Sequence, residues 1–211
     1  MNARQTDARI KNAVHEPARL ALFGGSFDPV HCGHLEIANC ALQQAGADRV
    51  VFIPACRSPM KHSPFASDAD RMEMLRLALQ GEARFELNTF EVEQSGDSFT
   101  INTVGHFRER YCDAELFWII GEDQFTSLNK WRRIDELVKK IIFLVYPRLE
   151  NHRMVEPTIH GLRYQLLKAN TIPVSSTEIR ERCGTGRPLS GLVPDSVEAF
   201  IYKKGLYKKG N

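Results

Sequence analysis

Short apolar runs alternate with segments of helical periodicity along most of this chain. Six apolar runs predict strands, at residues 20–23, 50–53, 85–87, 116–120, 141–145 and 171–174. Apolar residues at consecutive positions are typical of strands that are buried on both faces of a parallel sheet. The pattern therefore predicts an α/β fold with one doubly wound, Rossmann-like, mostly parallel sheet flanked by helices.

Helices are predicted between these strands by apolar spacing and by residues that start or stop a helix. Leu35, Ala38 and Leu42 recur at helical spacing, and Gly46 supplies a stop. Ser67 begins a second helix with a capping-box-like sequence, and Gly81 closes it. Further helical patterns cover residues 100–111, 131–140 and 176–183, and a last one runs from Asp195 to Lys203, Lys204 and Gly205.

Length and charge bound the organisation of the chain. Its 211 residues are the size of one ordinary domain. We expect residues 1–18 to form a flexible N-terminal extension and residues 19–211 to form that domain. Residues 147–164 are the least patterned and predict a surface excursion. A formal charge of +2, from 28 basic and 26 acidic residues, is too balanced to predict a nucleic-acid-binding face.

Cysteine usage and hydropathy bear on location. The five cysteines include no C-x-x-C pair and form no even-numbered framework, which indicates reduced thiols in a cytoplasmic protein. No apolar stretch approaches the roughly 18 residues of a membrane span. We therefore expect neither a membrane nor a nucleic acid as a partner, and the sequence leaves open whether the chain forms a homo-oligomer.

The most informative segment joins the first predicted strand to the first predicted helix. It reads GGSFDPVHCGH, from Gly24 to His34. A strand-to-helix turn aims backbone N–H groups and the positive end of the helix dipole at one point, where a phosphate chain is stabilised. The segment therefore predicts binding of nucleotide phosphates.

His31 and His34 lie three residues apart at this helix start, so both imidazoles can reach one small target. A structural pair and half of a metal site are the alternative interpretations. A zinc site would need further ligands, and Cys32 and Glu36 do not complete a recognisable cluster. We favour contact with phosphate, because attack on the α-phosphorus of a nucleoside triphosphate spreads charge that positioned N–H donors stabilise.

A second helix start near the C-terminus has the same chemistry. The sequence VSSTEIR places hydroxyls and free N–H groups in the first turn, and Arg180 follows one turn later to meet oxygens of the β- or γ-phosphate. An ordinary capping box from Ser175 to Glu178 is the alternative. Asp123 follows a predicted buried strand, where an acid suits hydrogen bonding to ribose hydroxyls.

The segment from Gly24 to His34 resembles the nucleotidyltransferase superfamily that carries the H-x-G-H motif. Together with VSSTEIR, which is similar to the I-S-S-T-x-I-R motif, it resembles the branch of bacterial nicotinate mononucleotide adenylyltransferases. The resemblance spans about residues 19–208 and rests on several separate motifs. It implies transfer of AMP from ATP to nicotinate mononucleotide, with Mg²⁺ carried by ATP, giving deamido-NAD and pyrophosphate in NAD biosynthesis.

The resemblance also implies roles for individual residues. The catalytic residues would be His31, His34 and Arg180. The ATP-binding residues would be Gly24, Gly25, Ser26, Phe27, Asp28, His34, Asp123, Ser175, Ser176, Thr177 and Arg180. The residues that bind the mononucleotide would be Lys61, His62, Ser98, Phe99, Thr100, Trp131 and Arg148. No protein ligand for a metal ion is predicted.

The departures from the family pattern lie among the residues that would bind the acceptor, nicotinate mononucleotide. They are the order of Lys61 and His62 in PMKH, Asn102 after the S-F-T element, and Arg148 in the altered sequence YPR. The same reaction on nicotinamide mononucleotide or phosphopantetheine, or a transferase that uses CTP, therefore remains an alternative. A non-catalytic nucleotide sensor or an RNA-binding protein on the same fold is a further one.

Overall fold

The computed structural model describes residues 17–57, 63–94, 96–147, 154–168 and 174–208. These residues form six strands: β1 Arg19–Gly25, β2 Arg49–Pro54, β3 Phe85–Leu87, β4 Glu115–Gly121, β5 Ile142–Tyr146 and β6 Tyr164–Leu166. The strands pair in parallel in the order β3-β2-β1-β4-β5-β6. The predicted α/β, doubly wound fold is confirmed. The predicted N-terminal extension lies almost wholly outside the described residues and stays a prediction.

Helices lie between the strands. They are α1 Cys32–Gln44, α2 Asp68–Ala78, α3 Phe90–Gln94, α4 Thr100–Arg110, α5 Glu122–Phe125, α6 Ile134–Leu137, α7 Ser176–Gly184 and α8 Asp195–Lys204, with a 3₁₀ turn at Leu128–Lys130. The predicted positions of α1, α2, α4, α7 and α8 are confirmed, whereas the short helices α3 and α5 are not predicted. In the described part of the chain no helix is both long enough and apolar enough to cross a bilayer.

Two elements correct the sequence-based expectations. The helix predicted over residues 131–140 is limited to α6, because Arg133 takes a left-handed conformation with φ of 54° and interrupts the helical path. Strand β6 lies at the end of the predicted surface excursion. It is short, and among the described strands it pairs with β5 alone. Leu166 is 51% exposed and Gln165 interrupts the apolar residues, so no continuous apolar run predicts this strand. The strand predicted at 171–174 falls outside the described residues except for Val174, which is not in a strand.

The sheet separates two apolar layers. Alternate residues of β1 point to opposite faces, so Ala21 and Phe23 join one buried cluster while Leu20 and Leu22 join the other. Helices α1, α2, α7 and α8 cover the first face, and α4, α5 and α6 cover the second. The strand order reverses between β1 and β4, and ligands of open α/β sheets bind beyond the carboxyl ends of the strands at such a point.

Candidate active site

The carboxyl end of β1 lies directly on aromatic side chains. A Cβ atom on Gly24 would lie 2.6 Å from Cζ2 of Trp118, and one on Gly25 would lie 3.1 Å from Cζ of Phe27. A larger residue at position 24 would therefore displace the Trp118 indole. Glycine is required here because the backbone must approach this ring closely before it enters α1.

His31 and His34 meet at the N-terminus of α1. The backbone N–H of His31 donates to Nδ1 of His34 at 3.2 Å, and the two rings stack with centroids 3.6 Å apart. Because Nδ1 of His34 accepts this hydrogen bond, the neutral ring carries its proton on Nε2. The pair therefore presents imidazole donors at one helix start, as the three-residue spacing predicts.

Phe27 and Asp28 hold this turn through their side chains. The Phe27 ring is buried in the core and meets the His34 ring edge-on at 5.0 Å. The Asp28 carboxylate is also buried, and it accepts hydrogen bonds from the backbone N–H groups of Phe65, at 2.7 Å, and Ala66, at 3.1 Å. The ATP contact predicted for these two residues stays a prediction and would involve their backbone.

Helix α7 begins beside the same turn. The Ser175 hydroxyl accepts a hydrogen bond from the backbone N–H of Glu178 at 3.1 Å, so Ser175 is the N-terminal cap. The Ser176 hydroxyl donates to the carbonyl oxygen of Pro29 at 2.9 Å. A Cβ atom on Gly33 would lie 3.1 Å from Cγ1 of Val174. The starts of α1 and α7 therefore face one region, which is what a shared phosphate site requires.

Arg180 is oriented by three neighbours. Its Nη1 donates to the carbonyl oxygen of Asp28 at 2.8 Å, and its Nη2 donates to the Thr177 hydroxyl at 3.1 Å. The guanidinium carbon also lies 4.6 Å from the centroid of the Phe65 ring. These contacts fix the cation beside the turn that carries the histidines.

Asp123 lies at the carboxyl end of β4, in the first turn of α5. A Cβ atom on Gly121 would lie 2.7 Å from Oδ1 of Asp123 and 3.2 Å from the ring of Tyr146. The carboxylate therefore folds back over the strand end, where only glycine leaves room for it. This position is at the reversal of strand order next to β1, as the sequence predicts.

The predicted acceptor residues come from four parts of the chain. The guanidinium of Arg132 lies 4.6 Å from the ring centroid of Phe99, so the residues after Trp131 lie against the turn Ser98-Phe99-Thr100. Trp131 is half-buried and its ring centroid is 6.3 Å from that of Phe143. The structure thus brings Trp131 and this turn together, whereas Lys61, His62 and Arg148 lie outside the described residues.

Glu91 is a site neighbour that the sequence did not predict. The residue is 7% exposed, and its carboxyl accepts hydrogen bonds from the hydroxyls of Thr103, at 2.6 Å, and Ser98. The Ser98 hydroxyl in turn accepts from the backbone N–H of Cys56 at 3.0 Å. Burial raises the pKa of Glu91, and these hydroxyl donors oppose that rise. Glu91 therefore supports the turn at Ser98 through these hydrogen bonds. The sequence did not predict it because the short helix α3, which carries Glu91, has no periodic apolar pattern.

A Glu91→Gln variant should be more stable than wild type at pH 7 by an amount that shrinks as the pH falls. The folded state binds the Glu91 proton more tightly than the unfolded state, so wild-type stability decreases as the pH rises from the ordinary glutamate range through the raised pKa. Glutamine accepts the Thr103 hydrogen bond without a charge. Urea unfolding at several pH values measures the difference, and a difference that grows towards low pH would contradict it.

Arg71 is the second neighbour that the sequence missed. It is completely buried and donates to the carbonyl oxygens of Ser26, at 2.6 Å, and Ala55, at 2.7 Å, and to Oδ1 of Asp68, at 2.6 Å. It thereby joins the turn after β1 to the chain that follows β2. Its place on the buried face of α2 with Met74 and Leu75, at helical spacing, was a signal available in the sequence.

The chain has sequence relatives over most of its length. A profile of the cytidylyltransferase-like family matches residues 22–182. A probable nicotinate-nucleotide adenylyltransferase of Methylacidiphilum infernorum is 40% identical over 190 residues, covering 90% of this chain and 92% of the relative. The nicotinate-nucleotide adenylyltransferase of Bacillus subtilis is 40% identical over 193 residues, covering 90% of this chain and 98% of the relative.

A solved structure has the same fold. The nicotinic acid mononucleotide adenylyltransferase of Plasmodium falciparum, in complex with NaAD, matches with a TM-score of 0.74 and 16% identity, covering 90% of this chain and 97% of that chain. At this identity the likeness bears on the fold alone. It agrees with the single parallel sheet and its flanking helices.

Proposed function

This chain belongs to the nicotinate-nucleotide adenylyltransferase family, within the cytidylyltransferase-like proteins, and we infer its function from that membership and from the site. The chain transfers AMP from ATP to nicotinate mononucleotide and forms deamido-NAD and pyrophosphate, a step of NAD biosynthesis. The observation in this structure that supports the activity most directly is the convergence of two helix starts, with His31, His34 and Arg180, beyond the sheet at the reversal of strand order.

We assign the triphosphate of ATP to the space between the starts of α1 and α7. The backbone N–H groups of both helix starts and the turn from Gly24 to Ser26 favour negative charge there. Arg180, held by Asp28 and Thr177, meets oxygens of the β- or γ-phosphate. Asp123 accepts hydrogen bonds from the ribose hydroxyls, because its carboxylate folds back over the end of β4.

In the reaction, a phosphate oxygen of the mononucleotide forms a bond to the α-phosphorus while the bond from that phosphorus to the bridging oxygen of pyrophosphate breaks. Negative charge develops on the α-phosphate oxygens and on the departing pyrophosphate. The Nε2–H of His34 and the adjacent His31 ring donate to the α-phosphate oxygens, and Arg180 stabilises the departing pyrophosphate. No covalent enzyme intermediate is needed.

Mg²⁺ would enter with ATP and neutralise triphosphate charge, since it binds through substrate phosphates and retains water. In the described part of the chain, no group of three or more His, Cys, Asp or Glu side chains is arranged to hold a metal ion. Cytoplasmic location and homo-oligomer formation stay predictions.

On the acceptor side, we place the pyridine ring against Trp131 and its carboxylate against the donors of Phe99 and Thr100. Ser98 supports this turn, because its hydroxyl donates to Glu91 and its backbone N–H to the carbonyl oxygen of Arg57. Contact between Arg132 and Phe99 brings these two parts of the chain together. On the resemblance alone, Lys61 or His62 is proposed for the mononucleotide phosphate, and Arg148 is proposed as a contact of the mononucleotide.

The purified chain should form deamido-NAD from Mg-ATP and nicotinate mononucleotide, and it should do so faster than it adenylylates nicotinamide mononucleotide or phosphopantetheine. Pyrophosphate release and the mass of the product measure this, with CTP in place of ATP as the nucleotide control. Chelation of Mg²⁺ should stop the reaction. Preferential product from another acceptor would overturn the substrate assignment, and no product from any acceptor would favour a nucleotide-binding protein without catalysis.

A further inference from the structure

A tyrosine near the C-terminus packs against the turn that carries the two histidines. Helix α8 ends at Lys204 and is capped by Gly205, which has φ of 63°, and the N–H of Leu206 donates to the carbonyl oxygen of Ile201 at 3.0 Å. This closing turn reverses the chain, so that Leu206 and Tyr207 pack against the core cluster on the first face of the sheet. Tyr207 itself takes φ of 62°, a conformation that a bulky residue adopts only when its surroundings hold it there.

The hydroxyl of Tyr207 donates to Oδ1 of Asp28 at 2.8 Å. Asp28 is 4% exposed, and its carboxylate also accepts from the N–H groups of Phe65 and Ala66, while Nη1 of Arg180 is 4.0 Å from its Oδ2. Burial and the nearby Asp28 raise the pKa of Tyr207, so this hydroxyl keeps its proton and remains a donor. A buried carboxylate depends on such donors for its orientation.

Asp28 contacts both sides of the proposed site. Its carbonyl oxygen accepts from Arg180, on the ATP side, and its carboxylate accepts from Phe65 and Ala66, which follow the predicted acceptor loop. The Phe65 ring also covers the Arg180 guanidinium. A change at the Asp28 carboxylate therefore reaches Arg180 through two routes.

We propose that Tyr207 is a positioning residue for adenylyl transfer, whose hydroxyl fixes the Asp28 carboxylate and through it the orientation of Arg180. The proposal rests on the proposed function, which places Arg180 on the triphosphate. It gives the last turn of the described chain a part in ATP binding, although Tyr207 is 179 residues away from Asp28 in the sequence.

The test is Tyr207→Phe, which removes the hydroxyl and keeps the ring. The matched control is Tyr202→Phe, which removes a hydroxyl from a 46% exposed ring on α8. We expect Tyr207→Phe to lower kcat/KM for ATP by about tenfold, since a hydrogen bond to a charged group is lost, whereas the control stays within about twofold. All kinetics are measured well below the thermal midpoint of each variant, so that lost stability does not appear as lost activity.

A double-mutant cycle separates positioning from general stability. If Tyr207 acts through Arg180, Tyr207→Phe should have little further effect on kcat/KM for ATP when Arg180→Ala is already present. The same tenfold loss in both backgrounds, or no loss in the wild-type background, would overturn the proposal.

Two controls distinguish failure of the Tyr207 proposal from failure of the proposed function. The wild-type chain is first assayed with each acceptor, and if another mononucleotide proves to be the substrate, the same cycle is measured with that substrate. Calorimetric Kd values for ATP give the cycle a readout that needs no turnover. A wild-type chain that binds no ATP would overturn both conclusions, whereas a Tyr207→Phe variant with unchanged ATP binding and unchanged kcat/KM would overturn this one alone.

Discussion

A His34→Ala variant should turn over ATP about 10²–10³-fold more slowly than the wild-type chain, with little change in its KM for ATP. The hydrogen bond from the backbone of His31 to Nδ1 places the His34 proton on Nε2, where it can donate to a phosphate oxygen. Stacking against His31 and the edge-on contact with Phe27 fix the direction of that donor. The donor matters most when charge develops on the α-phosphate, so kcat falls more than binding does.

Two further variants sharpen the assignment of His34. His34→Gln carries an amide N–H near the position of Nε2 and should retain more activity than His34→Ala. His160→Ala removes an exposed imidazole from the segment before β6 and should keep wild-type turnover. Steady-state kinetics with saturating nicotinate mononucleotide measure all three, and turnover of His34→Ala equal to that of wild type would remove His34 from the mechanism.

An Arg71→Leu variant should lose about 2–4 kcal/mol of unfolding free energy, since two backbone carbonyls lose their donors. The completely buried guanidinium supplies hydrogen bonds to the carbonyl oxygens of Ser26 and Ala55 and to Asp68. Leucine fills part of the volume, but it leaves two backbone carbonyls without these donors. The unfolding free energy of Arg71→Lys should lie between those of wild type and Arg71→Leu, since lysine keeps the charge but lacks the planar guanidinium that spans separate acceptors.

Helix α2 supplies its own control for Arg71. Arg76 pairs with Glu73 at the same three-residue spacing at which Arg71 pairs with Asp68, but the Arg76 side chain is 55% exposed. Arg76→Leu should therefore change the unfolding free energy by no more than about 0.5 kcal/mol. Urea unfolding of both variants measures the contrast, and equal losses would show that the buried carbonyl contacts of Arg71 contribute little.

The strands and helices that the sequence predicted correctly are those with a clear local pattern. The first five strands are apolar on both faces or bounded by turn residues, and the longer helices carry periodic apolar faces with local caps such as Ser67 and Ser175. The elements it missed lack such patterns: β6 is a short edge strand, α3 has five residues and α5 has four. Arg133 interrupts a helical pattern by a left-handed turn that periodicity does not reveal.

The sequence by itself determined the fold class, the helix start that carries His31 and His34, and the second helix start that carries Arg180. These are local features, because strand burial, helix caps and turn residues act within a few positions of one another. Only the tertiary structure decided which side chains support them: Arg71 reaches Ser26, Glu91 reaches Ser98 and Thr103, and Tyr207 reaches Asp28. Such hydrogen bonds join segments that folding alone brings together, and their geometry depends on the packing of the whole sheet and its two layers of helices.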